Sequence, residues 1–388
     1  RGASPRPIGD HKYFSNKGRG WIRIADVSRS YKFLNKTKQY LSELGASKSR
    51  VVNEGDIIMS ICGSIGKPII IGIPSCIHDG FVLFSGFEKN MLSEYLYYFL
   101  YYKEKYYIGK GQEGTQKNLN TSIVKNTILG LPPLPEQKKI AAILSTVDEQ
   151  INTTEKIIEK SKELKKGLMQ KLFSEGIGHT EFKDTKIGRV PKGWDVIKLN
   201  SIAKSFVGIA SSATHAYRDS GVLLLRNQNI KEGRLKLDDV LYVNEEYELQ
   251  HKTKRLKVND ILSVRTGYPG MSAVVTKELE GSQSFTTLIT RINSVNIDSY
   301  YLCYFINSPE GKAFFKRSEA GGGQKNVGAG TMSKMFIPIP SLSEQQKIAD
   351  ILSETDAKIE KEQTQKIQLK QLKKGLMQQL LTGKKRVA

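Results

Sequence analysis

Apolar positions along residues 136–172 fall at helical spacing. Ile140, Leu144, Val147, Ile151, Thr154 and Ile158 step by four and three, the seam of a coiled coil. The phase then shifts to Leu164, Leu168 and Leu172. Residues 344–380 repeat the pattern with Ile348, Leu352, Thr355 and Ile359, then Leu369, Leu372, Leu376 and Leu380, around a polar gap at Glu362. Both stretches lack proline and follow starts marked by Pro or Ser, so each is expected to be one helix of about 55 Å. A helix that long with one narrow apolar stripe needs a partner, and each is the other's natural one.

The two stretches are copies. Residues 136–172 align without a gap on 344–380, and 19 of the 37 positions are identical. One copy reads EQKKIAAILSTVDEQI and closes on LKKGLMQKL; the other reads EQQKIADILSETDAKI and closes on LKKGLMQQL. The repeat extends upstream. Gly114 and Gln116-Lys117-Asn118 match Gly322 and Gln324-Lys325-Asn326, GDIIMSICGSIG (55–66) matches NDILSVRTGYPG (259–270), and WIRI (21–24) resembles LLRN (224–227). Self-similarity over this range means a duplicated architecture. Gly167 and Gly375 sit at matching helical positions, where each costs about 1 kcal/mol relative to alanine. That shared cost predicts close backbone contact there.

Between the helical copies the pattern changes period. Asp56–Ile61, Pro68–Ile73 and Phe81–Phe84 are short apolar runs punctuated by Gly and Pro, and Leu223–Leu225, Ile261–Val264 and Ala273–Thr276 repeat the signal. These predict strands. SEYLYYFLYYKEKYY (93–107) and its counterpart DSYYLCYFINS (298–308) read as aromatic-rich helices, expected to pack on a sheet rather than stack on bases. The expected class is α+β: two globular α/β domains in tandem, 1–134 and 177–342, with long helices at 135–176 and 343–388 pairing as an antiparallel coiled coil of pseudo-two-fold symmetry. Block 181–342 opens with VPKGWDVIKLNSIAKSF (190–206), which has no counterpart ahead of Arg1. About 20–25 residues are therefore expected to be missing from the first copy, with its first strand.

Charge says what such domains would bind. The 388 residues carry 60 Lys+Arg against 39 Asp+Glu, a formal net charge of +21. The excess lies in two blocks, 19 basic against 10 acidic residues in 1–134 and 23 against 16 in 181–342. A polyanion is the expected partner, nucleic acid first. No apolar run is long enough for a transmembrane helix. Cys62, Cys76 and Cys303 are scattered without a CxxC, so neither a disulfide framework nor a zinc site is encoded, and a reducing cytoplasm is expected. His11, His78, His179, His215 and His251 have no metal-ligand spacing. GxxxxGK[ST], HExxH, GxSxG and NPPY are all absent. A non-catalytic binding protein is expected, with no cofactor of its own.

A Pro-rich turn followed by EQ, then KIA-IL, an Asp four residues later, and a closing LKKGLMQ-L, all occurring twice, closely resembles the specificity subunit of type I restriction-modification enzymes. The GDII…GxxG and GxQKN segments are similar to that family's target-recognition domains. The resemblance spans essentially the whole chain. It implies that each target-recognition domain reads one half of a bipartite, asymmetric site in double-stranded DNA. It further implies that the paired helices set the spacer, and that two modification subunits carrying S-adenosylmethionine dock on them to methylate adenine. It also implies that restriction (translocase/endonuclease) subunits join for cleavage and that this chain performs no chemistry.

DNA contacts are expected on three features. Turns Gly63–Gly66 and Gly267–Gly270 let backbone approach a groove, which places Lys67, Arg265 and Tyr268 near DNA. Gln116, Lys117 and Asn118, with Gln324, Lys325 and Asn326, join a phosphate binder to amides able to pair with adenine. Arg23 and Arg226 each end a predicted strand, from which a cation reaches the duplex. The helix seam and partner contacts are assigned to Ile140, Leu144, Ile151, Leu164, Leu168, Leu172, Ile348, Leu352, Ile359, Leu372, Leu376 and Leu380. Two other readings fit parts of the sequence: a specificity subunit serving methylation alone, and a coiled-coil scaffold for protein partners. A stand-alone nucleic-acid enzyme would need a catalytic constellation that the sequence lacks.

Overall fold

A computed structural model of the chain describes residues 1–86, 89–111, 118–319 and 326–387. It divides into two compact units, Arg1–Glu155 with Thr364–Ala388, and Lys156–Gln363. Each long helix is continuous, Leu134–Glu175 and Leu342–Leu380, and gives one end to each unit. The first helix stops where Gly176 adopts φ +65°, a left-handed position at which a Cβ would lie 2.6 Å from the Trp194 ring. Glycine is the residue that permits both the conformation and the contact.

The first unit holds two sheets. One has the strand order Phe14–Ser15, Gln39–Leu41, Arg19–Ile22, Ser75–Ile77, Arg50–Val52. The other runs Phe33–Leu34, Pro68–Ile71, Ile57–Ser60, Phe81–Phe84. Strand Ile57–Ser60 is buried on both faces: Ile58 packs with Ile22, Leu34 and Ile69, while Ile57 and Met59 face Tyr95, Tyr98 and Leu144. Helix Ser93–Tyr102 thus packs its tyrosines into the core, and Tyr95 Oη donates to the Gly130 carbonyl at 2.6 Å.

The second unit repeats the plan. Its sheets run Ala203–Val207, Leu288–Ile292, Ile261–Ser263, Ser272–Val274, and Tyr217–Arg218, Leu241–Val243, Val222–Arg226, Gln283–Phe285. Helix Ser299–Asn307 buries Tyr301, Tyr304 and Phe305 against Phe173, Ile348 and Leu352. Tyr301 Oη donates to the Pro338 carbonyl at 2.8 Å, reproducing the Tyr95 bond. Two strands, Asp195–Lys198 and Ala203–Val207, pair here with Phe336–Ile339 and Leu288–Ile292. Among the described residues of the first unit no strand fills either place. Among the described residues Phe81–Phe84 has Ile57–Ser60 as its one strand partner, and Ile128, which matches Phe336, is 89% exposed.

Within each unit the helical segments run antiparallel. In the first unit Glu136, Asp148 and Glu155 pair with Arg386, Lys373 and Lys366 in descending order. Ile140, Leu144, Ile151, Leu172, Ile348, Leu352, Ile359 and Leu380 are buried, and Leu168 and Leu376 are partly so. Leu164 and Leu372 depart from the expected seam, at 58% and 50% exposed. The core position belongs to the following residue, Lys165 or Lys373, because each lysine finds a carboxylate across the seam, half-buried Asp356 or buried Asp148. The close contact expected at Gly167 and Gly375 is also absent, since a Cβ at either meets nothing within 4 Å.

Candidate nucleic-acid interface

Three loops of the second unit converge. Strand Val222–Arg226 ends at Arg226, whose backbone N–H donates to Asn229 Oδ1 at 2.8 Å. The next residue, Asn227, accepts through Oδ1 from the Arg265 N–H at 3.2 Å. Arg265 opens a turn closed by Gly270 N–H on the Val264 carbonyl at 3.0 Å. Gly267 and Gly270 hold φ near +90°, and a Cβ at Gly270 would strike the Phe315 ring. The third loop arrives through Asn326, which bridges Thr266, and through the Val327 N–H on the Arg265 carbonyl at 3.0 Å. Arg226, Arg265 and Asn326 therefore sit on adjoining loops, with Tyr268 on the turn that Arg265 opens.

The first unit builds the same cluster from different residues. Arg23 follows strand Arg19–Ile22 and donates its N–H to Asp26 Oδ2 at 2.9 Å. Ile24 lies beside Gly63. Gly66 N–H closes the turn on the Ser60 carbonyl at 2.8 Å, and Leu119 N–H reaches the Ile61 carbonyl at 2.8 Å. Asn118 bridges Cys62, as Asn326 bridges Thr266. By this register Arg265 takes the place of buried Ile61, Tyr268 that of Ser64, and Met271 that of Lys67. The backbone scaffold is shared, whereas the side chains presented are not.

The cations differ in how free they are. The Nε atoms of Arg226 and Arg265 are buried and meet no acceptor among the described residues. Such donors call for a water or ligand acceptor. Arg226 Nη2 is steadied by the Asp239 carboxylate at 3.1 Å. Arg23 is exposed and lines a hollow of about 360 Å³ with Arg29, Lys38 and His78. Lys67 folds back, its Nζ donating to the Ser28 carbonyl at 3.3 Å, and burial lowers its pKa. Gln116, Lys117, Gln324 and Lys325 lie outside the described residues.

Sequence reasoning missed a polar set that occurs twice, buried in the first unit and half-buried in the second. Asp148 accepts from Lys373 and from Tyr98 Oη at 2.9 Å, and Tyr31 Oη also bonds it. Asp356 accepts from Lys165 at 2.7 Å and from Tyr304 Oη at 3.0 Å. Burial pushes the Tyr98 and Tyr304 hydroxyls well above their ordinary range and lowers Lys373. Gln137 and Gln345 form a second such pair. Each accepts a helix-entry N–H (Leu92, Asp298) and donates to two carbonyls (Asn90 and Pro132; Asn296 and Pro340). The available signal was identity between the copies at charged and amide positions, which hydrophobic periodicity ignores.

Among the described residues no cluster of three His, Cys, Asp or Glu side chains is placed to hold a metal ion. Nor is any described helix long and apolar enough to cross a membrane.

A duplicated α+β chain, each half presenting an arginine, a glycine-held turn and a bridged asparagine on converging loops, has the layout of a tandem recognition protein. The model of the type I restriction modification DNA specificity domain matches residues 7–163 and again 191–371. The specificity subunit of the type I restriction enzyme MjaVIII from Methanocaldococcus jannaschii is 31% identical over 397 aligned positions, spanning 98% of this chain and 92% of that one. The EcoBI specificity subunit of Escherichia coli is 25% identical over 250 positions, 60% of this chain and 52% of that one. The fold is shared with the S subunit of a type I restriction-modification system from M. genitalium, at TM-score 0.58, 15% identity and coverage of 95% and 93%. A chain from a study of complex assembly in a type I system matches at TM-score 0.59 and 15% identity, covering 93% and 90%. The chain belongs to the type I restriction-modification DNA specificity family.

Proposed function

We propose that this chain is the non-catalytic specificity subunit of a type I restriction-modification enzyme, acting on double-stranded DNA in the cytoplasm. Residues 1–134 and 177–342 act as target-recognition domains, each reading one half of a bipartite site. The helices at 135–176 and 343–388 set the spacer and dock two modification subunits, whose S-adenosylmethionine supplies the methyl group for adenine. Restriction subunits join that assembly for cleavage. The observation carrying this reading is one loop cluster built twice on the same backbone with different tips. A shared scaffold positions each domain on phosphates through Arg23 or Arg226. Unequal tips, Ser64 against Tyr268, suit unequal half-sites. Asn118 and Asn326 belong to the same faces, and Gln116, Lys117, Gln324 and Lys325 are assigned DNA contacts on their sequence pattern alone.

The test is the methylome of the host with and without this gene. Loss of one bipartite adenine-methylation motif on deletion, restored by complementation, is the expected result. If every motif survives deletion of an expressed gene, the specificity role is wrong.

A further inference from the structure

The two glycine-held turns differ most at their tips. In the first unit the turn's one large apolar residue, Ile65, points into the core, and Ser64 takes the exposed place. In the second unit Tyr268 takes that place and is 78% exposed. Its hydroxyl has no hydrogen-bond partner among the described residues; its only bond is the backbone carbonyl accepting from the Met271 N–H at 3.3 Å. A large ring left in water at a loop tip contributes nothing to the fold.

The backbone that carries the ring is nevertheless constrained. Pro269 follows it and confines its backbone to extended conformations. Gly267 and Gly270 fix the turn on either side, and Gly270 abuts Phe315 too closely for any other residue. Arg265, with its unsatisfied Nε, stands at the base of the same turn. A pre-positioned aromatic beside a phosphate-seeking cation is the arrangement that wedges into a base step. Unstacking is repaid by ring–base stacking and by the tighter approach of a bent duplex.

We propose that Tyr268 is such a wedge. Its ring inserts against a base step of the half-site read by the second unit, favouring flexible pyrimidine–purine steps there, and the first unit, with Ser64, makes no equivalent insertion. This rests on the specificity reading above.

The test uses the chain co-purified with its modification subunits and a duplex carrying the bipartite motif mapped by methylation sequencing. Tyr268→Ala should weaken binding about 5- to 150-fold, the range of one lost stacking contact, with thermal stability unchanged. Tyr268→Phe should bind as the parent does. 2-Aminopurine placed step by step should brighten at one step of one half-site, and lose that signal in Tyr268→Ala. Parent-like binding by Tyr268→Ala overturns the wedge, and so does equal weakening in Tyr268→Phe, which would mean a hydroxyl contact. A parent complex that does not prefer the motif over a scrambled duplex fails the specificity reading itself, a separate outcome.

Discussion

Lys373 Nζ lies 2.6 Å from Asp148 Oδ1 with the two side chains 9% and 3% exposed. Lys165 and Asp356 repeat the pair in the other copy at 2.7 Å, less deeply, with the Asp356 side chain 32% exposed. Lysine and aspartate come from different long helices in each case. Taking both charges out of water costs roughly what their attraction returns, so such a pair adds little net stability over an apolar one. What it does is penalise misalignment. A slip of one helical turn along the other would leave a buried carboxylate facing leucine. These pairs are therefore register markers for the antiparallel segments.

Removing one partner exposes that cost. Lys373→Met leaves the Asp148 carboxylate buried with only hydroxyl donors, and should destabilise the chain by about 3–5 kcal/mol. Adding Asp148→Asn, which keeps an acceptor for Tyr98, should recover more than half of the loss. Urea midpoints of the parent, both single variants and the double variant measure this. Additive losses would show that the two side chains do not interact.

Gly167 and Gly375 make the opposite case. Each is mid-helix with open space where a Cβ would go, so Gly167→Ala and Gly375→Ala should each stabilise by about 1 kcal/mol through helix propensity alone. The effects should add. Thermal melts of the two single variants and the double variant check both statements, and a loss of stability at either site would mean that the helix surface is used by a packed partner.

These glycines and lysines mark where the sequence stops being legible. Apolar spacing located the seam as far as Ile158, because Ile140, Leu144 and Ile151 are buried for the ordinary reason. Beyond it the inward positions are Ser161 and Lys165, then Met169. A pattern of hydrophobicity passes over a lysine in the core and chooses Leu164, one residue early. Strands were plain where apolar runs sit between turn residues, as at Phe81–Phe84. The loop cluster was half legible. Paired glycines announced the turns, and arginines after strands announced the cations. Nothing local announced that Asn118 would bridge Cys62, or that Asn227 would hold Arg265, because those contacts join distant segments. The inward fold of Lys67 was equally hidden, since its carbonyl partner belongs to Ser28.

Acid sensitivity should centre partly on Glu248. Its carboxylate is 5% exposed and meets Arg255 through two 2.6 Å bonds. Gln283 adds a third bond at 3.0 Å. The Arg255 guanidinium holds Glu248 below its ordinary pKa of 4.5. A carboxylate lowered in the folded state stabilises above its unfolded pKa, and that contribution is lost as pH falls through the lowered folded value. Glu248→Gln should cost about 1–3 kcal/mol at pH 7. The gap from the parent should close below about pH 4. Urea midpoints across this range test it, and a gap independent of pH would assign the loss to packing.

Salt dependence separates positioning cations from bystanders. Each phosphate contact releases condensed counterions, so losing one lowers the slope of log K against log salt by about 0.9 for duplex DNA. Arg23→Ala and Arg265→Ala should each flatten the slope by that amount and weaken binding to every sequence alike. Lys117→Glu and Lys325→Glu should do the same. Lys67→Ala should leave the slope nearly unchanged, because its ammonium is turned toward the Ser28 carbonyl. The contrast is the informative part. Lys67 follows a glycine turn as plausibly as Arg265 opens one, and the two are distinguished only by where the folded chain sends the charge. A duplex-binding titration at four or five salt concentrations, run on the assembly with its modification subunits, decides it. A full unit of slope lost in Lys67→Ala, with none lost in Arg265→Ala, would reverse that assignment.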